Sequence, residues 1–405
     1  MKKILQAIAR NLRALGESYA LEFRHIIHDQ GVVLFFLFLP LAYPVIYSLI
    51  YNPELVRDVE VVVVDHDMTA LSRELTRNLD ATQGARVIGY AADMGEARRA
   101  FDSHECYAIL EIPRGFERSV GRGGQSQAQL YCDMSLLLRY RSLLFSATDL
   151  SLAMSQQIQA RDIKDLGAAS LMGETDPMPI NASELGNLQS GFDSFVMPGV
   201  LILILQQCII LAVGMMGGAR YEQARRGINP VNAIGGSTLT TMVGRTACYL
   251  TVLALPLIWL THFVPLIFKF PMAGDTLDIF AFLLPMVLAS ICVGFVVQSF
   301  TTEREAILII WVATSILFLF LSGLTWPRYA MPPFWRFISD LVPATWGVNG
   351  FILMNANGAS LTDVAPLYES LWLQAAGYFA LAWAIHRFWL RPRLARIARE
   401  HPDRA

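Results

Sequence analysis

The sequence lacks the loop from which a nucleotide-driven machine draws its own energy. No G-x-x-x-x-G-K-[ST] stretch is present to cradle phosphates; Gly121-Arg122-Gly123-Gly124 is glycine-rich but no Lys-Ser or Lys-Thr follows it. Cysteine is scarce, five in 405 residues, and Cys208, Cys248 and Cys292 lie in or beside apolar segments, where they serve as small hydrophobes. None forms a metal-binding spacing, and no His or carboxylate constellation falls within the apolar segments, which argues against a membrane enzyme and against a bound cofactor. Charge is thin too. Only 16% of residues are charged against 54% hydrophobic, with a mean hydropathy of +0.42, too much apolar surface for one soluble core. The net charge of -2 conceals a sorting of charge by region and makes no case for a nucleic-acid partner. The class that remains is an integral membrane protein.

What is present is a set of apolar segments separated by polar ones. Residues 195–216 and 246–265 contain no Asp, Glu, Lys or Arg, and each is near the length a membrane helix needs. Between them lies RYEQARRGINPVNAIGGSTLTTMVGR, residues 220–245, with Arg220, Arg225, Arg226 and Arg245 against one carboxylate, Glu222. This basic interruption reads as a loop in water on the cytoplasmic side, either a plain connector or the place where a partner applies force. Hydropathy predicts further crossings at 31–52, 279–298, 306–324 and 371–386, six in all as one plus five. Starting inside, the N-terminal stretch, loop 220–245, turn 301–305 and the tail after His386 hold sixteen Lys or Arg, whereas the short outer loops hold Lys269, Arg328 and Arg336. Residues 1–30 read as a cytoplasmic interfacial helix, because Ile4, Leu5, Ile8, Leu12, Leu15 and Tyr19 recur on one face beside basic residues. Pro40 and Pro44 predict a kink in the first crossing. Residues 391–405 form a basic cytoplasmic tail.

From 53 to 193 the chain changes character, and no segment there is long enough to span. Val61–Val64 is a continuous β-branched run closed by Asp65-His66-Asp67, which fits a buried strand and a turn better than a metal site. Helices are expected over 69–79 and 94–103, strands over 87–90, 107–112 and 128–132, and a long helix from about 134 to 166. This is an inserted α/β domain with a long helix, placed on the periplasmic side, and a domain of about 140 residues can bury its own core. Cys106 and Cys132 lie near consecutive expected strands, and both a disulfide and two free thiols remain open. Gln206 and Gln207 fall mid-membrane, as hydrogen-bond glue between helices or as part of a substrate pathway.

Three stretches resemble a family. VVVVDHDMTALSREL with AILEIPRGFERSVGRG carries a strand, an Asp-containing turn and an IP-x-GF pattern; residues 222–245 place Glu222, Arg225, Gly227, Pro230, Gly244 and Arg245 in an E…R-x-G…P…GK-like order; and LSGLTWPRYAMPPFWRFISDLVPATWGVNG carries SG…P…MP…P. The chain resembles, over nearly its whole length, the permease subunits of ABC-2 type exporters, particularly the subgroup with an extended periplasmic domain. Arg245 departs from the family's usual lysine, and the loop lacks the T-x-E-x-L core.

The resemblance implies a transport subunit of the bacterial inner membrane, not itself an enzyme. Two copies of a separate ABC ATPase would power it, a second permease would pair with it, and a periplasmic adaptor with an outer-membrane channel would be further partners. It implies that Glu222, Arg225, Arg226, Gly227 and Arg245 couple to the ATPase. It also implies that 326–356 is a re-entrant outer segment, with Ser322, Gly323, Pro327, Pro332 and Pro343 at an outer gate. The substrate would be hydrophobic or amphiphilic. The other class that the sequence leaves open is a membrane-anchored receptor or scaffold with an ABC-2-like membrane domain and no transport of its own.

Overall fold

A helix as long and apolar as Phe192–Arg225, 34 residues, needs other helices around it, and that requirement sets the larger of two units. The structure, a computed structural model, describes residues 2–51, 56–122, 124–165, 191–228 and 237–400, with the backbone alone for 2–9 and 162–165. It divides into Met1–Asn52 with Glu184–Ala405, and Pro53–Ser183.

In the first unit α1 (Lys2–His28) leads to α2 (Gln30–Val33) and α3 (Leu39–Tyr51), which together form one helical stretch, Gln30–Tyr51. The long helix is α8 (Phe192–Arg225), followed by α9 (Thr238–Ile258), α10 (Val264–Phe268), α11 (Thr276–Phe300) and α12 (Ala306–Leu321). After these come α13 (Pro333–Asp340), α14 (Pro343–Asn357), α15 (Ala365–Ile385) and α16 (Arg391–Glu400). α8 is the hub, packed by α3, α11, α12, α14 and α16. It is buried along 83% of its most apolar window, against 22% for Gln30–Tyr51.

Four described stretches are long and apolar enough to cross a membrane: Gln30–Tyr51, Phe192–Arg225, Thr238–Phe268 and Thr276–Phe300. A fifth appears if α13 and α14, bent by 85° at their junction, count as one broken span. Of the six crossings expected, two fall outside this set: α12 has only 16 residues, and α15 carries Glu369 and Gln374 in its first half. Just ahead of Pro40 the first stretch has a π turn over Leu34–Phe38. Similar turns at Trp259–Phe263 and His386–Leu390 also stand just ahead of prolines, Pro265 and Pro392. Proline has no N–H and its ring crowds the carbonyl four residues back, so a wider turn relieves the clash without breaking the helix.

The second unit is a four-stranded sheet in the order β2-β1-β3-β4. β1 (Val59–Asp65) runs parallel to β2 (Ala85–Tyr90) and β3 (Ala108–Ile112), and β4 (Gln129–Cys132) lies antiparallel to β3. The valine run is buried on both sides because β1 is central and covered on both faces. Val61 and Val63 point into a core shared with α4 (Ala70–Asp80) and α7 (Leu137–Asp165), while Val62 and Val64 meet the residues of α5 (Met94–Asp102). The short α6 (Phe116–Val120) follows β3. Cys106, just ahead of β3, packs on the α5 side and Cys132 against the core of the other face. Both are free thiols in this structure.

Candidate functional site

At the C-terminal end of α8 the chain assembles charged groups that its apolar neighbours would reject singly. Arg220 and Glu22 are both buried, and Arg220 Nη2 donates to Glu22 Oε1. The hydroxyl of Tyr249 donates to the same oxygen, and Arg245 Nε stands 3.3 Å from Glu22 Oε2. Arg220 Nη1 donates to Gln298 Oε1 at 2.7 Å, which turns the Gln298 amide nitrogen toward His386 Nε2 at 3.0 Å. His386 Nε2 also stands 3.2 Å from the Phe295 carbonyl oxygen, so this ring nitrogen meets both groups. α1, α8, α9, α11 and the π turn after α15 thus each contribute a polar side chain to one buried chain of contacts.

One carboxylate faces two guanidinium groups here, so every lone pair of Glu22 is in demand. Burial pushes its pKa up, but Arg220, then Arg245 and the Tyr249 hydroxyl, outweigh burial and hold the carboxyl below the ordinary range. The helix that supplies Glu22 approaches closely because Gly244 of α9 has no side chain. A Cβ there would stand 2.7 Å from the Leu15 carbonyl and 2.9 Å from Ser18 Cβ. Ser18 Oγ then donates to the Thr241 carbonyl at 2.9 Å. α1 packs through Ala14, Ser18, Glu22 and Ile26, whereas Leu12, Phe23 and Ile27 remain exposed. Of the expected apolar stripe, Leu12 is exposed and Leu15 and Tyr19 are half-buried, Tyr19 against the core; the side chains of Ile4, Leu5 and Ile8 lie outside the described residues.

A second cluster joins three elements beside the first. Arg304 donates from Nε to Glu222 at 3.0 Å and from Nη1 to Asp29 at 2.5 Å. Asp29 also caps α2, accepting from Val32 N at 3.3 Å. α16 closes this end: Leu390, Leu394 and Ala398 pack on Tyr221 and Ala224.

The expected coupling residues therefore separate into two kinds. Arg225 and Arg226 are exposed at the tip of α8, and Gly227 ends the helix with φ +82°. Glu222 is half-buried in its pair with Arg304, and Arg245 stands against Glu22 with its side chain 12% exposed. The stretch expected to lie wholly in water is thus shorter than 220–245, since α8 runs to Arg225 and α9 begins at Thr238, with Arg220 and Arg245 inside. Pro230 lies outside the described residues.

Gln206 and Gln207 sit in the middle of α8, both buried. Gln206 Oε1 accepts from Ala344 N at 2.6 Å, satisfying an amide at the start of α14 that no residue of that helix can reach. The amide nitrogens of both glutamines are buried without partners. The residues assigned to an outer gate collect at helix ends around this point. Ser322 is the C-cap of α12 and Gly323 follows in the left-handed region at φ +87°. Pro327 precedes a short 3-10 turn, Pro332 is the N-cap of α13, and Pro343 opens α14, positions where a missing N–H costs nothing. Arg328 pairs with Asp340 and lies 4.5 Å from the Trp346 ring, and Trp346 donates to the Asp340 carbonyl at 3.0 Å. The bend between α13 and α14 is thereby held by side chains on both sides.

In the sheet unit, Asp67 clips two of the resembling stretches together. Its carboxylate accepts from Gly115 N at 2.7 Å, Glu117 N at 3.0 Å and Thr69 Oγ1 at 2.8 Å. Asp65 accepts from Asp67 N and Met68 N at 2.9 Å each, which makes this a turn, and among the described residues no group of three metal-ligating side chains forms. The sequence from 31 to 384 matches the family profile described as ABC-2 family transporter protein. The chain belongs to the ABC-2 transporter family. Among curated proteins nothing matches it. In this ABC-2 protein the Asp67 clip joins β1 to the IPRGF turn, and the Glu22 cluster joins the N-terminal helix to the membrane bundle.

The clip makes a prediction about acid. The Glu117 N–H leads in lowering the Asp67 pKa from its ordinary value of 3.8, against an opposing desolvation and with help from Thr69 and Gly115. A carboxylate with a lowered folded-state pKa stabilises above its unfolded value, and that contribution disappears as pH falls through the folded value. Melting of residues 53–183 followed from neutral to acid pH should show a loss beginning below about pH 4, and Asp67→Asn should melt lower at neutral pH and lose less on acidification. An unchanged neutral-pH melt for Asp67→Asn would mean that the clip is not stabilising.

Proposed function

We propose that the chain is the membrane-spanning subunit of an ATP-driven exporter in the bacterial inner membrane, crossing it six times and moving a hydrophobic or amphiphilic substrate outward. The construction of α8 carries this reading. It is the most buried of the candidate spans, and it leaves the bundle with Arg225 and Arg226 exposed at its tip. A separate ABC ATPase, in two copies, would grip that tip, and the substrate would pass between this chain and a second permease. Residues 53–183 would face the periplasm, where an adaptor leading to an outer-membrane channel could dock. α12 supports the pairing with a second permease, since Ile309, Val312, Ile316 and Phe320 are all exposed.

Two measurements test the proposal. In a cysteine-free background and intact spheroplasts, Gln125→Cys should react with an impermeant maleimide and Ile228→Cys should not. The reverse pattern would invert the topology. In inverted vesicles containing the chain and the ATPase that co-purifies with it, ATP should drive uptake of an amphiphilic dye; equal uptake with and without ATP would remove the exporter reading.

A further inference from the structure

One face of the sheet in the second unit is closed by helices only in part. α4 and α7 lie over β1 and β2, and beside them, over β3 and β4, is a cavity of about 440 Å3. Leu71 and Leu75 of α4, Leu110 of β3, Phe116 of α6, and Leu150 and Met154 of α7 form its walls. Among the described residues, no Asp, Glu, Lys, Arg or His lines it. Of the polar side chains that do, Gln127 and Ser155 are exposed and so stand at its mouth.

Protein interiors pack to near-crystalline density and seldom leave a void of this size. Two wall positions on α7 keep it open, Ala147 and Ser151, where larger side chains would fill it. Its volume falls in the range of about 300–1,000 Å3 typical of small-molecule pockets, which are concave and mostly apolar with a few polar groups that fix orientation. We propose that this cavity binds the hydrocarbon chain of an amphiphile, with the polar head held at the mouth by Gln127 and Ser155. The wholly uncharged lining excludes an ionic group from the interior, and the run of leucine, methionine and phenylalanine walls suits a flexible chain rather than a rigid polar one. Binding is a property of this unit alone. Only the further step, that the bound amphiphile is cargo of the exporter, rests on the function proposed above.

Residues 53–183 have their own core on both sheet faces, so the unit can be tested in isolation, with circular dichroism as the check on folding. The probe is N-phenyl-1-naphthylamine, whose fluorescence rises on entering an apolar site. It should bind saturably at one site per chain and be displaced by dodecanol. Ala147→Trp should weaken binding at least tenfold and raise the melting temperature, because the indole occupies the cavity; Ser151→Phe serves the same purpose if the first variant fails to fold. A folded unit without saturable binding overturns the inference, as does binding that both filled variants retain. The titration needs neither membrane nor ATPase, so its failure leaves the exporter reading standing. Binding accompanied by no ATP-driven uptake would instead remove the exporter reading alone.

Discussion

Glu22→Ala is expected to destabilise the membrane unit by about 3–5 kcal/mol, the cost of leaving a buried partner charge uncompensated. Here two such charges are left, Arg220 and Arg245, which repel each other without the carboxylate they share. The purified protein should lose its monodisperse peak and melt at markedly lower temperature. Glu22→Ala combined with Arg220→Met and Arg245→Met should recover much of the stability, because apolar side chains of similar volume often replace a buried ion cluster without loss. If the triple variant is no better than the single one, the damage comes from lost packing rather than lost charge pairing. The sign with pH follows from the lowered Glu22 pKa: the contribution is complete above the unfolded value and vanishes as pH drops through the folded one.

Reversing the two exposed charges should have the opposite profile. Arg225→Glu with Arg226→Glu touches no buried group, so the melting temperature should stay within about a degree, since surface substitutions usually change stability by less than ~0.5 kcal/mol. ATP-driven uptake should nevertheless be abolished and the ATPase should no longer co-purify, because like-charge juxtaposition at an interface costs several kcal/mol. Retention of both properties would show that the tip of α8 is not where the ATPase binds. Comparing this variant with Glu22→Ala separates a contact surface from the scaffold behind it.

Much of the architecture was legible because it is written in local patterns. Strand and helix positions in the sheet unit follow from the valine run, the leucines four apart and the turn residues, and β1 to β4 fall within a few residues of expectation. The long apolar segments were equally plain. What the sequence hid were contacts between distant residues. Arg220 and Arg245 looked like solvent arginines because their partner, Glu22, precedes Arg220 by 198 residues. The glycine that makes the meeting feasible, Gly244, carries no sign of it without α1 in place. Gln206 was open between glue and pathway; its bond to Ala344 N supplies the glue, while its amide nitrogen remains unpartnered. Asp67 shows a middle case, where the turn was evident but its hold on Gly115 and Glu117 was not.

Between Gln206 and Arg220 the backbone of α8 runs without a proline or a π turn; its one internal proline, Pro198, lies before this stretch. At 1.5 Å per residue those fourteen steps span about 21 Å. One end is keyed to the first amide of the bent α14 and the other to the carboxylate of α1. The segment's three glycines, Gly214, Gly217 and Gly218, are packed against Ile307, Gln298 and Arg304, which leaves it little room to bend. It behaves as a connecting rod, so a push that shifts α1 along the bundle axis must reappear, nearly undiminished, at the joint between α13 and α14.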